Sequence, residues 1–137
     1  MSLVVTSIIG EGSEKEEYTV ECRGQLRMAS GVNSLTYTEE VEGRRVHTTL
    51  TYRMNAGRVH LKKRGATKCE MIFEEGYTHT SVYEMSPYKF DMVVEGQKVK
   101  ASLGEEGGEI SLTYLRTIGG DTAKVVLQIV GTALEDL

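Results

Sequence analysis

The sequence predicts an all-β protein, a single antiparallel up-and-down barrel of about 8–10 strands. Three observations predict it. Apolar and polar residues alternate with a period of two through most of the chain, as they do when a strand shows one face to a core and the other to water. Glycines stand in short polar breaks at roughly 8–12 residue spacing, the pattern of hairpin-linked strands. The chain has one proline, and no window shows the three-and-four spacing of an amphipathic helix.

Each element follows from its own alternation. Tyr18, Val20, Cys22, Gly24, Leu26 and Met28 share one parity, and Thr19, Glu21, Arg23, Gln25 and Arg27 the other. Gly24 interrupts this long strand and marks a bulge or a barrel corner. Val46, Leu50, Tyr52 and Met54 then oppose Arg45, His47, Thr49, Thr51 and Arg53. Val59, Leu61 and Lys63 oppose Arg58, His60, Lys62 and Arg64, and after a Gly65-Ala66 turn Cys69, Met71 and Phe73 oppose Lys68, Glu70 and Glu74. Tyr88, Phe90, Met92 and Val94 form the next strand. A break at Glu95-Gly96 separates them from Val99, Ala101 and Leu103. Ile110, Leu112, Tyr114 and Ile118, and finally Ala123, Val125, Leu127 and Ile129, complete the count. A helical stub is expected only at 133–137. A sheet this wide must curl or close, and closure removes exposed edges; a sandwich is the alternative.

At 137 residues and 15.2 kDa, residues 1–137 make one domain with room for a sizeable core. No apolar run reaches the roughly 20 residues that span a bilayer, so no membrane association is expected. The first residues, Met1 to Val5, lack the basic and apolar regions of a secretory signal. Two cysteines, Cys22 and Cys69, are too few for a disulfide framework and suit reduced, buried thiols in a cytoplasmic protein. A formal net charge of −4 argues against nucleic-acid binding. The histidines and cysteines show no metal-ligand spacing, and no cofactor is expected.

Several segments in order resemble the YwiB-like family of small bacterial proteins of unknown function. They are Val5-Thr6-Ser7-Ile8-Ile9, Ser34-Leu35-Thr36-Tyr37-Thr38-Glu39-Glu40, Gly57-Arg58-Val59, Lys63-Arg64-Gly65-Ala66, Met71-Ile72-Phe73, Ser86-Pro87-Tyr88 and Gly108 to Tyr114. The resemblance spans nearly the whole chain. It implies a calycin-like (lipocalin-like) β-barrel and the small-ligand binding common among such barrels, with no established catalytic residue to carry over. The family often has arginine where Lys63 stands and glycine where Lys89 stands. Lys63 keeps the charge but loses the planar fork of a guanidinium.

The inward parity carries Tyr37, Tyr52, Lys63, His79, Ser81, Tyr83, Tyr114 and Arg116. A few placed polar groups in an apolar cavity are what a ligand site needs. Tyr52, Lys63, His79, Tyr83, Tyr114 and Arg116 are therefore the expected ligand-binding residues, for a small apolar or amphipathic molecule. The competing reading is a filled barrel whose tyrosines bond to backbone, with the protein acting as an interaction module or homodimer. A third is an enzyme using His79 as base, with Cys69 across the sheet as a conceivable nucleophile. The apolar company of Cys69 argues against that role. Glu39-Glu40 and Glu105-Glu106 are read as surface charge. Arg58, Lys62, Arg64 and Lys68 are read as a solvated face.

Overall fold

The computed structural model describes residues 1–133, and the expected stub lies beyond them from residue 134 onward. Ten antiparallel strands follow one another: β1 Ser2–Ile9, β2 Glu16–Ala29, β3 Val32–Val41, β4 Arg44–Tyr52 and β5 Arg58–Gly65, then β6 Cys69–Glu74, β7 Thr78–Met85, β8 Tyr88–Ala101, β9 Gly107–Ile118 and β10 Asp121–Thr132. They form one sheet in the order β6-β5-β4-β3-β2-β1-β10-β9-β8-β7. It is an up-and-down meander curled into a nearly closed barrel.

The two edges of the sheet, β6 and β7, are consecutive in the chain. They are tied at both ends of their hairpin and part between. At one end Lys68 and Glu84 exchange two backbone hydrogen bonds of 2.8 Å. At the other, the turn is docked on β8: Gly76 N–H donates to the Gly96 carbonyl (2.9 Å) and Gly96 N–H to the Tyr77 carbonyl (3.1 Å). Between the ties Ser81 Oγ donates to the Glu70 carbonyl at 2.8 Å, a side chain standing where a ladder bond would be.

Two glycines let the sheet curl. At Gly24 β2 changes partner, pairing with β1 before it and with β3 from it onward. A Cβ at Gly24 would collide with Leu3 Cδ1, so the corner that the sequence suggested also needs the space. Gly96 differs from expectation. The break at Glu95-Gly96 is not a turn; β8 runs straight through it, and the register slips by one residue between Gly96 and Lys98. Gln97 is the extra residue of a bulge, which bends the strand and raises its twist. A Cβ at Gly96 would strike the Glu74 carbonyl, so only glycine lets the β6–β7 turn seat there.

The alternation read from the sequence is the alternation of burial. Leu35, Leu50, Leu61 and Met71 lie in one row across β3 to β6, all buried. Ile110, Leu112, Val125, Ile129 and Ala101 face them from the other wall. Each leucine so buried contributes about 1.5–3 kcal/mol relative to exposure. Tyr18, Met28, Met54, Tyr88 and Phe90 share the inward parity yet are exposed. All five stand near strand ends, or just past one, beyond the rows that the opposite wall covers.

Candidate binding site at the open end of the barrel

The interior has two unlike ends. One is closed. There Tyr52 Oη and Asn33 Nδ2 both donate to the Leu103 carbonyl, at 2.7 and 3.3 Å, and all three residues are buried.

The other end is polar. One ladder row beyond the leucines stand Tyr37, Thr48, Lys63 and Cys69, paired across β3 to β6. From the facing wall β9 brings Tyr114 and Arg116. The ring of Tyr114 packs against Phe73 with centroids 4.7 Å apart and an interplanar angle of 51°. This is a favourable tilted arrangement that fixes the floor of the site.

The electrostatics of this end are lopsided. Burial pushes the Cys69 thiol up, and Lys63 and Arg116 pull it back down, so both cations stand close to that sulfur. Burial also pushes the Cys22 thiol up, and there Glu39 adds to the rise. The cations therefore flank Cys69 on one side, and the carboxylate flanks Cys22 on the other. Burial raises the Tyr114 hydroxyl to about 12, against the opposing pull of Arg116. Tyr37 is pushed higher still, by burial first and Glu39 second. Both phenols are neutral donors at neutral pH. Neither Lys63 nor Arg116 has a carboxylate within salt-bridge distance among the described residues. A cleft of about 380 Å³ at the β6–β7 seam reaches Lys63, Cys69 and Ser81 from outside.

An apolar wall continues past this end. β9 pairs with β8 only as far as Met92↔Ile118, so the β7–β8 hairpin projects beyond it. Tyr83↔Phe90 and Met85↔Tyr88 pair on the face that holds Met92 inward lower down. Phe90 lies against the β9–β10 turn, within 3.8 Å of a Cβ built at Gly119, and its ring stacks with Tyr88 at 6.5 Å.

Of the residues expected to bind ligand, Lys63, Tyr114 and Arg116 are brought together, and Tyr83 is on the projecting wall. Tyr52 is at the opposite, closed end. His79 lies on β7 in the row of Val94 and Arg116, half-buried, beside Tyr77 (6.4 Å), with Nδ1 buried and unpaired. Two contributors escaped the sequence reading. Tyr37 shares the inward parity but is not among the expected ligand-binding residues. Glu39 reads with Glu40 as surface charge, although strand parity sends only Glu40 outward, to Arg45 at 3.7 Å. Cys22 is half-buried rather than buried.

No group of three or more His, Cys, Asp or Glu side chains among the described residues could hold a metal. No helix among them is long and apolar enough to cross a membrane.

Comparison with known proteins agrees with this architecture. The family described as "Domain of unknown function (DUF1934)" matches residues 3–129. The uncharacterized beta-barrel protein YwiB of Bacillus subtilis (strain 168) is 25% identical over 121 residues, covering 88% of this chain and 84% of its own. The crystal structure of the ywiB protein from Bacillus subtilis superposes with a TM-score of 0.81 at 23% identity, over 96% of this chain and 91% of that one. At that identity the likeness bears on the fold alone.

Proposed function

The chain belongs to the DUF1934 family, and we propose that it is a non-enzymatic, calycin-like binder of a small amphipathic anion held at the open end of the barrel. One observation carries the reading. Lys63 and Arg116, from opposite walls, converge beside Cys69 without a carboxylate partner, and the inner face of the β7–β8 hairpin extends the site with Tyr83 and Phe90. A half-buried cation without a counterion is costly, and an anionic headgroup supplies one. The Tyr37 and Tyr114 hydroxyls, kept protonated, add neutral donors. The apolar part of the ligand lies along Tyr83, Met85 and Phe90. A cytoplasmic setting fits the two free thiols.

The probe for this reading is 8-anilino-1-naphthalenesulfonate, itself an amphipathic anion. Saturable binding is expected, weakened by Lys63→Gln, Arg116→Gln and Tyr83→Ala and unchanged by Tyr52→Phe. Binding that ignores all three of those substitutions would sink the proposal. Native mass spectrometry of protein from its own host, beside a denatured run, identifies any resident ligand.

A second reading is favoured by Tyr88, which is 61% exposed at the hairpin tip beside its exposed ladder partner Met85. Exposed apolar groups in one patch suit a protein contact or a homodimer. A ligand-free dimer in the native spectrum, dissociated by Tyr88→Ser, would favour it.

A further inference from the structure

A second cleft, larger than the one at the β6–β7 seam, is not at the open end. It lies on the outer face of β2 to β5 and measures about 630 Å³, within the usual range of small-molecule sites. Its floor is a set of short hydroxyl side chains, Ser34 and Thr36 on β3 and Thr49 on β4, with Thr36 directly opposite Thr49. Its walls are long and basic: Arg23 and Arg27 on β2, and Arg64 on β5. Short residues in the middle and arginines around them make a hollow on a surface that would otherwise be convex.

The charge of this cleft is unlike that of the chain. The protein has 20 acidic and 16 basic side chains, Lys and Arg counted, yet no carboxylate lines the cleft. Arg23, Arg27 and Arg64 make no salt bridge among the described residues, while Arg45 at the rim finds Glu40. His47 adds a further polar wall, its Nδ1 sharing a 2.9 Å hydrogen bond with Thr38 Oγ1 that holds the ring in place.

We infer that the outer face of β2 to β5 carries an anion site, in which Arg23, Arg27 and Arg64 hold an oligophosphate chain over the hydroxyl floor. Guanidinium forks match phosphate oxygens bidentately, and hydroxyls donate to the same oxygens. The spacing selects the length. Arg23 and Arg27 are four residues apart on one strand face, roughly 13 Å, and Arg64 is three strands across from β2, roughly 14 Å. One sulfate or carboxylate cannot meet all three, whereas a chain of phosphates can. Of the two rings in the lining, Tyr37 is buried and His47 is tied to Thr38, which leaves no run of aromatic platforms for stacked bases, so a single-stranded nucleic acid is not the favoured occupant.

Calorimetric titration of the intact protein with inorganic tripolyphosphate tests the site, with a nucleoside triphosphate and orthophosphate in parallel. Saturable one-to-one binding of tripolyphosphate is expected, with orthophosphate at least tenfold weaker. Arg23→Gln, Arg27→Gln and Arg64→Gln should each weaken it about tenfold, the loss of one charge-assisted contact. Arg44→Gln, an exposed arginine outside the cleft, should change nothing. Equal affinity for the triphosphate and the nucleotide would show that the chain alone is held, and a tighter nucleotide would place the nucleoside in the cleft. Either supports the site. Absence of saturable binding at millimolar tripolyphosphate overturns it. So does an equal loss in Arg44→Gln, or an oligonucleotide of matched charge binding more tightly. Circular dichroism and melting points confirm that these surface variants fold.

Discussion

Tyr52→Phe removes one oxygen atom from the closed end of the barrel and leaves the ring where it is. The hydroxyl donates to the Leu103 carbonyl at 2.7 Å in a place where Tyr52 is 2% exposed and Leu103 is fully buried. A hydrogen bond of this kind contributes about 0.5–1.5 kcal/mol net. Stranding a buried acceptor costs roughly 1–3 kcal/mol, but here that penalty does not apply in full. The Leu103 carbonyl keeps the Asn33 amide at 3.3 Å. The expected destabilisation is therefore about 1 kcal/mol, a fall in Tm of roughly 3–6 °C for a chain of this length. Asn33→Ala alone should be similarly mild. The double variant leaves the carbonyl with neither donor, so its loss should exceed the sum of the two by about 1 kcal/mol. Urea titrations followed by far-ultraviolet circular dichroism measure all three. Binding of the anilinonaphthalene probe should not change, since the open end is untouched. An unchanged urea midpoint together with weakened probe binding would refute the reasoning, because Tyr52 would then be a ligand group and that end would not be closed.

Two further outcomes follow from the packing and the titrations. Gly96→Ala drives a methyl into the Glu74 carbonyl, a backbone atom that cannot step aside, so a loss of about 1–3 kcal/mol is expected. Hydrogen exchange should show faster exchange at the amides of residues 76 and 96, and full protection there would mean that the turn stays seated on β8 and accommodates the methyl. Tyr114 is 4% exposed and holds its proton to about pH 12 in the folded chain. The unfolded phenol ionises near pH 10. The stability that Tyr114 contributes is complete below about pH 10 and is lost as the pH rises through about 12, at up to ~1.4 kcal/mol per pH unit. Tyr114→Phe should therefore lose stability less steeply than the parent between those values, and identical slopes in urea melts would show that the hydroxyl is not desolvated.

What was legible in the sequence was whatever a single strand encodes. Parity placed Leu50, Leu61 and Phe73 inside, and it picked out Lys63 as a cation on the wrong face, which is where the polar end begins. Gly24 announced a corner because it interrupts an alternation that continues on both sides. Gly96 does the same, yet Glu95-Gly96 reads like every true turn of this chain. Only the partner strand distinguishes a bulge from a reversal, since the register slip exists between β8 and β9 and in neither alone. Tyr52 and Tyr114 are equivalent by parity. One faces Leu103 and the other Cys69 and Arg116, and that difference is set by where along the barrel axis each row falls. The arginine cleft is the extreme case. Arg23 and Arg27 looked like the ordinary wet face of β2, and Arg64 like part of a basic turn some 40 residues away. Their convergence depends on three ladder registers, β2–β3, β3–β4 and β4–β5, and a shift of one residue in any of them would turn a wall inward. A polar site built across strands is thus the part of a β-barrel that sequence alternation hides, because the charge that makes it is divided among faces that each look merely solvated.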